Sequence, residues 1–223
     1  MSSLFTPFSL GPVELPNRIV VSPMCQYSSN DGVPGDWHLH HLMQFGYCGA
    51  GLVMVEATGV ERRGRITHGC LGLYSDDCEA ALSRIINSAR SVSGGAARFG
   101  IQLAHAGRKA SANVPWVNAG SPLGEGEDPW KTVAPSAVPF GDGWHIPQAL
   151  DEKGIERITA AFIDAARRAA RIGFDVVEVH AAHGYLLHEF LSPLSNFRQD
   201  SYGGSLENRM RFPLNIVRAV RAA

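Results

Sequence analysis

The sequence has no excess of charge of either sign. Its 20 Lys and Arg stand against 21 Asp and Glu, a net charge of −1 over 223 residues. That excludes the broad basic field a nucleic-acid partner needs, and neither end carries a charged tail. No apolar run is long enough to span a bilayer. The start, Met1-Ser2-Ser3-Leu4-Phe5-Thr6-Pro7, lacks the basic and apolar stretches of a secretion signal. Cysteine is scarce: Cys25, Cys48, Cys70 and Cys78 match no zinc spacing and are expected to be reduced thiols. There is no short repeat and no low-complexity tract. No Gly-x-Gly-x-x-Gly follows the first apolar strand, which argues against a Rossmann dinucleotide site. A soluble cytoplasmic chain is expected, with neither nucleic acid nor membrane as partner.

What is present is an alternation of strand and helix, the pattern of a parallel α/β fold. Ile19 to Met24 reads as the first strand. Asp36 is placed to cap a helix running to about Tyr47, with Leu39, Leu42, Met43 and Tyr47 apolar. Leu52 to Glu56 is a second strand. Ser75 caps the next helix, whose stripe is Leu82, Ile85, Ile86, Ala89 and Val92, and Gly94-Gly95 ends it. Phe99 to Leu103 is a third strand. Residues 106–150 then break the rhythm with Gly, Pro and Trp. A connection this long reads as a lid over the C-terminal face of the sheet, with Trp116, Trp130 and Trp144 either lining a substrate pocket or, the simpler reading, anchoring it. A strong helix marked by Ile155, Ile158, Phe162, Ala165, Ala166, Ala169 and Ile172 stops at Gly173. Phe174 to Val179 is a fourth, buried strand, and a last helix starts near Ser205, kinked near Pro213. Residues 1–223 thus read as one domain of four strand–helix units, where a closed barrel of this type needs eight. A half-barrel that requires a partner, a truncated barrel and an open doubly wound sheet all fit the pattern.

In such folds ligands are handled by the loops after the strands. Every strand end here carries something polar or reactive: Pro23-Met24-Cys25-Gln26-Tyr27, then Glu56-Ala57-Thr58, then Gln102 to His105, then His180-Ala181-Ala182-His183-Gly184-Tyr185. Imidazoles donate hydrogen bonds to an oxygen and a phenol can donate a proton, a set suited to binding a carbonyl and protonating the neighbouring carbon. Histidines at i and i+3 also suit zinc, but no third ligand has matching spacing, although Glu189 is near. Taken alone, the two histidines could equally satisfy buried polar groups. Arg108 and Lys109 either attract an anionic cofactor or form a solvated pair. Gly203-Gly204 is explained by a turn into the Ser205 cap.

Ser22-Pro23-Met24-Cys25, Gln102 to Lys109, Val179 to Tyr185, and Phe190 to Arg209 together resemble the Old Yellow Enzyme family over essentially the whole chain. Cys25 with Tyr27 resembles its xenobiotic-reductase, or thermophilic-like, branch. The resemblance implies a (β/α)8 barrel (here its first four units plus the lid after the third strand) that binds FMN, oxidises NADPH or NADH, and reduces the C=C bond of small-molecule enones. It implies that Ser22, Pro23, Met24 and Cys25 pass along the flavin, that Ala57 touches the ring by its backbone, and that Gln102 bonds the pyrimidine end. By the same resemblance His180 and His183 bind the substrate carbonyl and Tyr185 protonates the α-carbon. Cys25 tunes flavin and substrate contact, and Tyr27 adds a ligand hydrogen bond. The family's later arginine and phosphate loops would lie beyond Ala223. An inactive half-barrel that self-associates or needs a partner is therefore the alternative, and the full-length protein is expected to be a homo-oligomer.

Overall fold

The computed structural model describes residues 3–223. The chain opens with a short antiparallel hairpin, β1 (Phe8–Leu10) and β2 (Val13–Leu15), reversed at Gly11 in the left-handed region. The sequence reading missed this hairpin, because three-residue strands carry too little alternation to detect. The first strand of the main sheet, β3, is only Val20–Val21 rather than Ile19 to Met24. Pro23 has no N–H to give a ladder, and the chain leaves the sheet before it.

α1 (Asp36–Gly46) is capped by Gly35, not Asp36, which is instead the acidic residue of the first turn. The His38 ring reaches back to the Gly35 N–H, at 3.4 Å from Nδ1. Tyr47 is exposed rather than part of the buried stripe. β4 (Leu52–Gly59) is buried along its whole length. In α2 (Asp76–Ser93) the Ser75 side chain accepts from the Cys78 N–H, and Gly94 ends the helix in the left-handed region. Leu82, Ile85, Ile86 and Ala89 are buried as expected, but Val92, in the last turn, is exposed.

β5 (Arg98–Ala104) follows, and then the excursion, which holds short 3-10 turns and a two-residue parallel pair, β6 (Val133–Ala134) and β7 (Gln148–Ala149). α3 (Glu152–Ile172) is capped by Asp151 and closed by Gly173, whose N–H reaches the Ala169 and Ala170 carbonyls. β8 (Val176–Val179) is half-buried with Glu178 exposed, not fully buried, because it is an edge strand among the described residues. α4 (Leu186–Leu191) was too short to show a period and was not anticipated. α5 (Leu206–Ala222), capped by Ser205, runs as one helix through Pro213.

The four parallel strands lie in the order β3-β4-β5-β8, each beside the next in sequence. A doubly wound sheet reverses its strand order at a switch point, whereas this sheet never does, so the pattern is that of the (β/α)8 barrel. Val53, Val55, Phe99, Ile101 and Leu103 face the helices and form the main core with Leu82, Ile86, Ile158 and Phe162. The alternate residues Met54, Gly100, Gln102, Val176 and Glu178 line the other face, the barrel interior. There Met54 packs with Leu52 and Leu15, which lets the opening hairpin cover one end of the sheet and leaves the C-terminal strand ends for chemistry. Among the described residues no helix is long and apolar enough to cross a membrane.

Candidate active site

The sheet delivers its reactive side chains through local irregularities. In β4 the register slips between Val55 and Ala57, which makes Glu56 the extra residue. Its buried carboxylate accepts from the Gln26 N–H (3.0 Å) through one oxygen and from His38 Nε2 (3.1 Å) through the other. Since His38 Nδ1 takes the Gly35 N–H, Nε2 carries the ring proton and donates it to Glu56. This pair holds the irregular segment 22–29 across the ends of β3 and β4. Ser22 and Met24 are exposed there, while Pro23, Cys25 and Tyr27 are half-buried. Tyr27 sits at φ 51°, lies beside Cys25, and meets Trp116 edge-on at 5.4 Å.

The His180–Tyr185 loop hangs from β5 by two backbone bonds, His180 N to Leu103 O (2.9 Å) and Leu186 N to His105 O (3.0 Å). His183 (φ 57°) and Gly184 (φ 75°) are consecutive left-handed residues, a turn costing about 1 kcal/mol at the non-glycine position. That turn folds the His183 ring back against His180, 5.1 Å between centroids, and His180 stands 5.0 Å from the Tyr185 ring. The Ala182 N–H donates to His180 Nδ1 at 3.2 Å, so the His180 proton lies on Nε2. Among the described residues His180 Nε2, the His183 ring nitrogens and the Tyr185 hydroxyl have no hydrogen-bond partner. Three donors therefore gather at one place with nothing in the chain to receive them.

Burial sets their protonation. It pushes the Tyr185 phenol up, with Cys25 and Cys70 adding to the effect. It likewise pushes up the Cys25 thiol, reinforced by Cys70 and Glu56, and the Tyr27 phenol, reinforced by Cys25 and Cys70. Burial lowers His180, with His183 next in weight. All four groups are held in their neutral forms, which for the phenol and the His180 imidazole means proton-bearing donors without charge.

Ala57 lies beside Cys25 through its backbone, and with Gly59, Gly64, Cys70, Ala106 and Tyr185 it lines a small apolar cavity. Gln102 is buried on the interior face and donates from its amide nitrogen to Glu178 at 2.9 Å, with its amide oxygen uncommitted. The geometry thus brings Cys25, Tyr27, Ala57, His180, His183 and Tyr185 to one end of the sheet, with Gln102 one layer deeper. A flat heteroaromatic ring suits this arrangement. The backbone of 22–25, the Ala57 backbone and the free Gln102 oxygen are the hydrogen-bonding groups such a ring would meet.

Several participants were not foreseen. Cys70 lines the Tyr185 cavity, and burial pushes its thiol up. Glu178 had no sequence signal beyond a lone acid in an apolar strand. His105 is not at the donor cluster. Its Nε2 donates to Glu61 at 2.9 Å, and Glu61 also receives Arg63 and Arg157. Burial alone would push the Glu61 carboxyl up, but His105 and Arg63 hold it below its usual range. Arg108 and Lys109 are half-buried and bonded to the chain rather than a solvated pair. Arg108 donates to the Val138 and Pro139 carbonyls, and Lys109 to the His183 carbonyl. Trp130 anchors the excursion through the Arg63 carbonyl and Trp144 packs on Phe140, whereas Trp116 is 71 % exposed except where it meets Tyr27.

Residues 3–223 match the family model described as the NADH:flavin oxidoreductase / NADH oxidase family. The chain is 48 % identical over 223 residues to an NADH:flavin oxidoreductase of Gibberella zeae, covering 99 % of this chain and 53 % of that protein. It is 46 % identical over 220 residues to an NADPH dehydrogenase of Geobacillus thermodenitrificans, covering 98 % and 59 %. Among solved structures it matches morphinone reductase (TM-score 0.82, 34 % identity, 99 % of this chain and 59 % of that one). It also matches Old Yellow Enzyme from Pichia sp. (TM-score 0.85, 31 % identity, 99 % and 56 %). The chain therefore spans a little over half the length of these relatives. Its sequential parallel sheet, its strand-end donors and these similarities agree, and the chain belongs to the NADH:flavin oxidoreductase family of Old Yellow Enzyme, whose flavin is FMN.

Proposed function

We propose that this chain carries the substrate-activating part of an FMN-dependent ene-reductase that uses NADPH or NADH and acts on α,β-unsaturated carbonyl compounds. The observation that carries the reading is the convergence of three uncommitted donors, with the His180 ring 5.1 Å from that of His183 and 5.0 Å from that of Tyr185 by centroids. FMN, when bound, supplies hydride transfer between the nicotinamide and the activated alkene. Ser22, Pro23, Met24, Cys25, Ala57 and Gln102 are the residues that would hold it. The Gln102 amide, with its free oxygen, matches a ring edge offering a donor.

His180 and His183 donate to the carbonyl oxygen and stabilise the negative charge that grows there as the β-carbon is reduced. Because His180 is proton-bearing at Nε2 yet uncharged, it offers a hydrogen bond without transferring its proton. Tyr185 gives its phenolic proton to the α-carbon. A phenol pushed up by burial is a weak acid, but an enolate-like carbon is basic enough to take the proton, and the raised value favours return to the phenol afterwards. Tyr27 and Cys25 flank the ligand from the opposite loop. In the full-length flavin-loaded protein, Tyr185→Phe should lower enone reduction at least about a hundredfold while flavin content stays constant. Undiminished turnover would remove Tyr185 from the donor role.

A second reading, a half-barrel that associates with a copy of itself or a partner, is favoured by one feature. β3 and β8 end the sheet without neighbours among the described residues, and Val20 on β3 is exposed.

A further inference from the structure

Behind the donor loop lies a layer of ionisable side chains that the proposed reaction does not use. The turn leaving β5, Gly107–Lys109, is folded against α4 by Glu189. That carboxyl is 1 % exposed and accepts the Arg108 N–H through Oε1 at 2.9 Å, while its Oε2 is buried without a partner. Gly107 has φ +62°, and a Cβ there would run into the Glu189 carboxyl, so only glycine lets turn and acid sit this close. From this clamped turn the Lys109 side chain crosses to the donor loop. Its Nζ donates to the His183 carbonyl at 3.0 Å and lies 4.9 Å from the Tyr185 ring centroid and 4.8 Å from that of Phe140.

The contact falls on a mechanically sensitive point. His183 is the left-handed residue whose turn aims its own ring and sets the start of α4 at Tyr185. A donor on its carbonyl opposes relaxation of that turn. A positive charge on the ring of a phenol also favours the phenolate left when the proton departs, against the burial that disfavours it.

We propose that Lys109 is a positioning residue, held in place by Glu189 through the Gly107–Lys109 turn, that locks the His180–Tyr185 loop in its donor-presenting geometry and sets a cation against Tyr185. The loop-locking part stands on geometry alone, and the effect on proton transfer rests on the ene-reductase reading.

Amide hydrogen exchange on this chain separates the two parts. The Ala182, Gly184 and Tyr185 N–H groups donate to His180 Nδ1, His188 Nδ1 and the Ala182 carbonyl, so they report on the loop. Lys109→Met should speed their exchange at least about tenfold with β4 and α3 unchanged, and Lys109→Arg should largely restore protection. Glu189→Ala should release the same amides together with Arg108, whereas Glu189→Gln, which keeps an acceptor, should not. Unchanged loop exchange in Lys109→Met overturns the lock, and unchanged exchange in Glu189→Ala overturns its anchoring. In the flavin-loaded full-length protein, Lys109→Met should lower kcat at least about tenfold with KM for an enone within about threefold. A loosened loop with unaltered kcat overturns the cation's role at Tyr185. Failure of the ene-reductase reading is recognised separately, by unmodified protein that reduces no enone.

Discussion

Burial holds His180, Cys25 and Glu189 in uncharged forms, and each makes a measurable prediction. With Nδ1 accepting from Ala182, His180 should show the Nε2–H tautomer in nitrogen-resolved NMR spectra and stay neutral at about pH 6.5, where a free imidazole is half protonated. A charged ring at that pH, or a proton on Nδ1, would contradict the donor assignment. The Cys25 thiol is pushed up, so alkylation near pH 8 should label exposed Cys48 well before Cys25. Equal labelling would mean that Cys25 is not shielded. Glu189 is pushed up to about 8 by burial, with the Arg108 N–H, the Arg108 guanidinium and Lys109 only partly opposing. Its folded form keeps a proton that the unfolded chain loses near pH 4.3, so its contribution to stability is full below that pH. It is then lost as pH rises toward 8, a change on the order of 5 kcal/mol. Glu189→Gln should therefore flatten the decline in stability across that interval in chemical denaturation. Parallel pH curves for the two proteins would show that the acid is not buried in its neutral form.

At the scale of elements, helix ends carry the local energetics. Ser75→Ala removes the acceptor of the Cys78 N–H and should cost about 1 kcal/mol in denaturant unfolding. Gly173→Ala forces a Cβ into φ 88° and should cost a similar amount. No loss at either site would mean that the caps are not stabilising. These features were legible in the sequence because a cap is a local event: Ser75, Gly94 and Gly173 sit where the apolar period begins or stops. Long-range partnerships were not legible. No spacing rule links Glu56 to His38 across a β-bulge, Lys109 to the His183 carbonyl, or Gln102 to Glu178 on the neighbouring strand. The strand-end positions of Cys25, Tyr27, Gln102, His180, His183 and Tyr185 were legible. The left-handed pair that folds His183 onto His180 was only hinted at by Gly184. β3 was over-read because an apolar run says nothing about whether a neighbour will extend the ladder past a proline.

At the scale of the whole molecule, the four strands form one side of a barrel wall, with helices outside and the donor cluster at the C-terminal rim. The two outer strands expose ladder groups that a closed barrel would pair. The 223-residue chain alone should therefore associate in a concentration-dependent way by sedimentation velocity. A stable monomer at all concentrations would contradict that expectation. The central claim is the proposal that, at this rim, the His180 and His183 imidazoles bind an oxygen lying against the flavin, beside the Tyr185 phenol. Its most direct test is a visible-absorbance titration of the flavin-loaded full-length protein with a simple phenol, repeated in the His180→Ala/His183→Ala double variant. The account predicts a saturable change in the flavin band for the unmodified protein and at least about a hundredfold weaker binding in the variant, with flavin content unchanged. Equal affinity in the two proteins would contradict it.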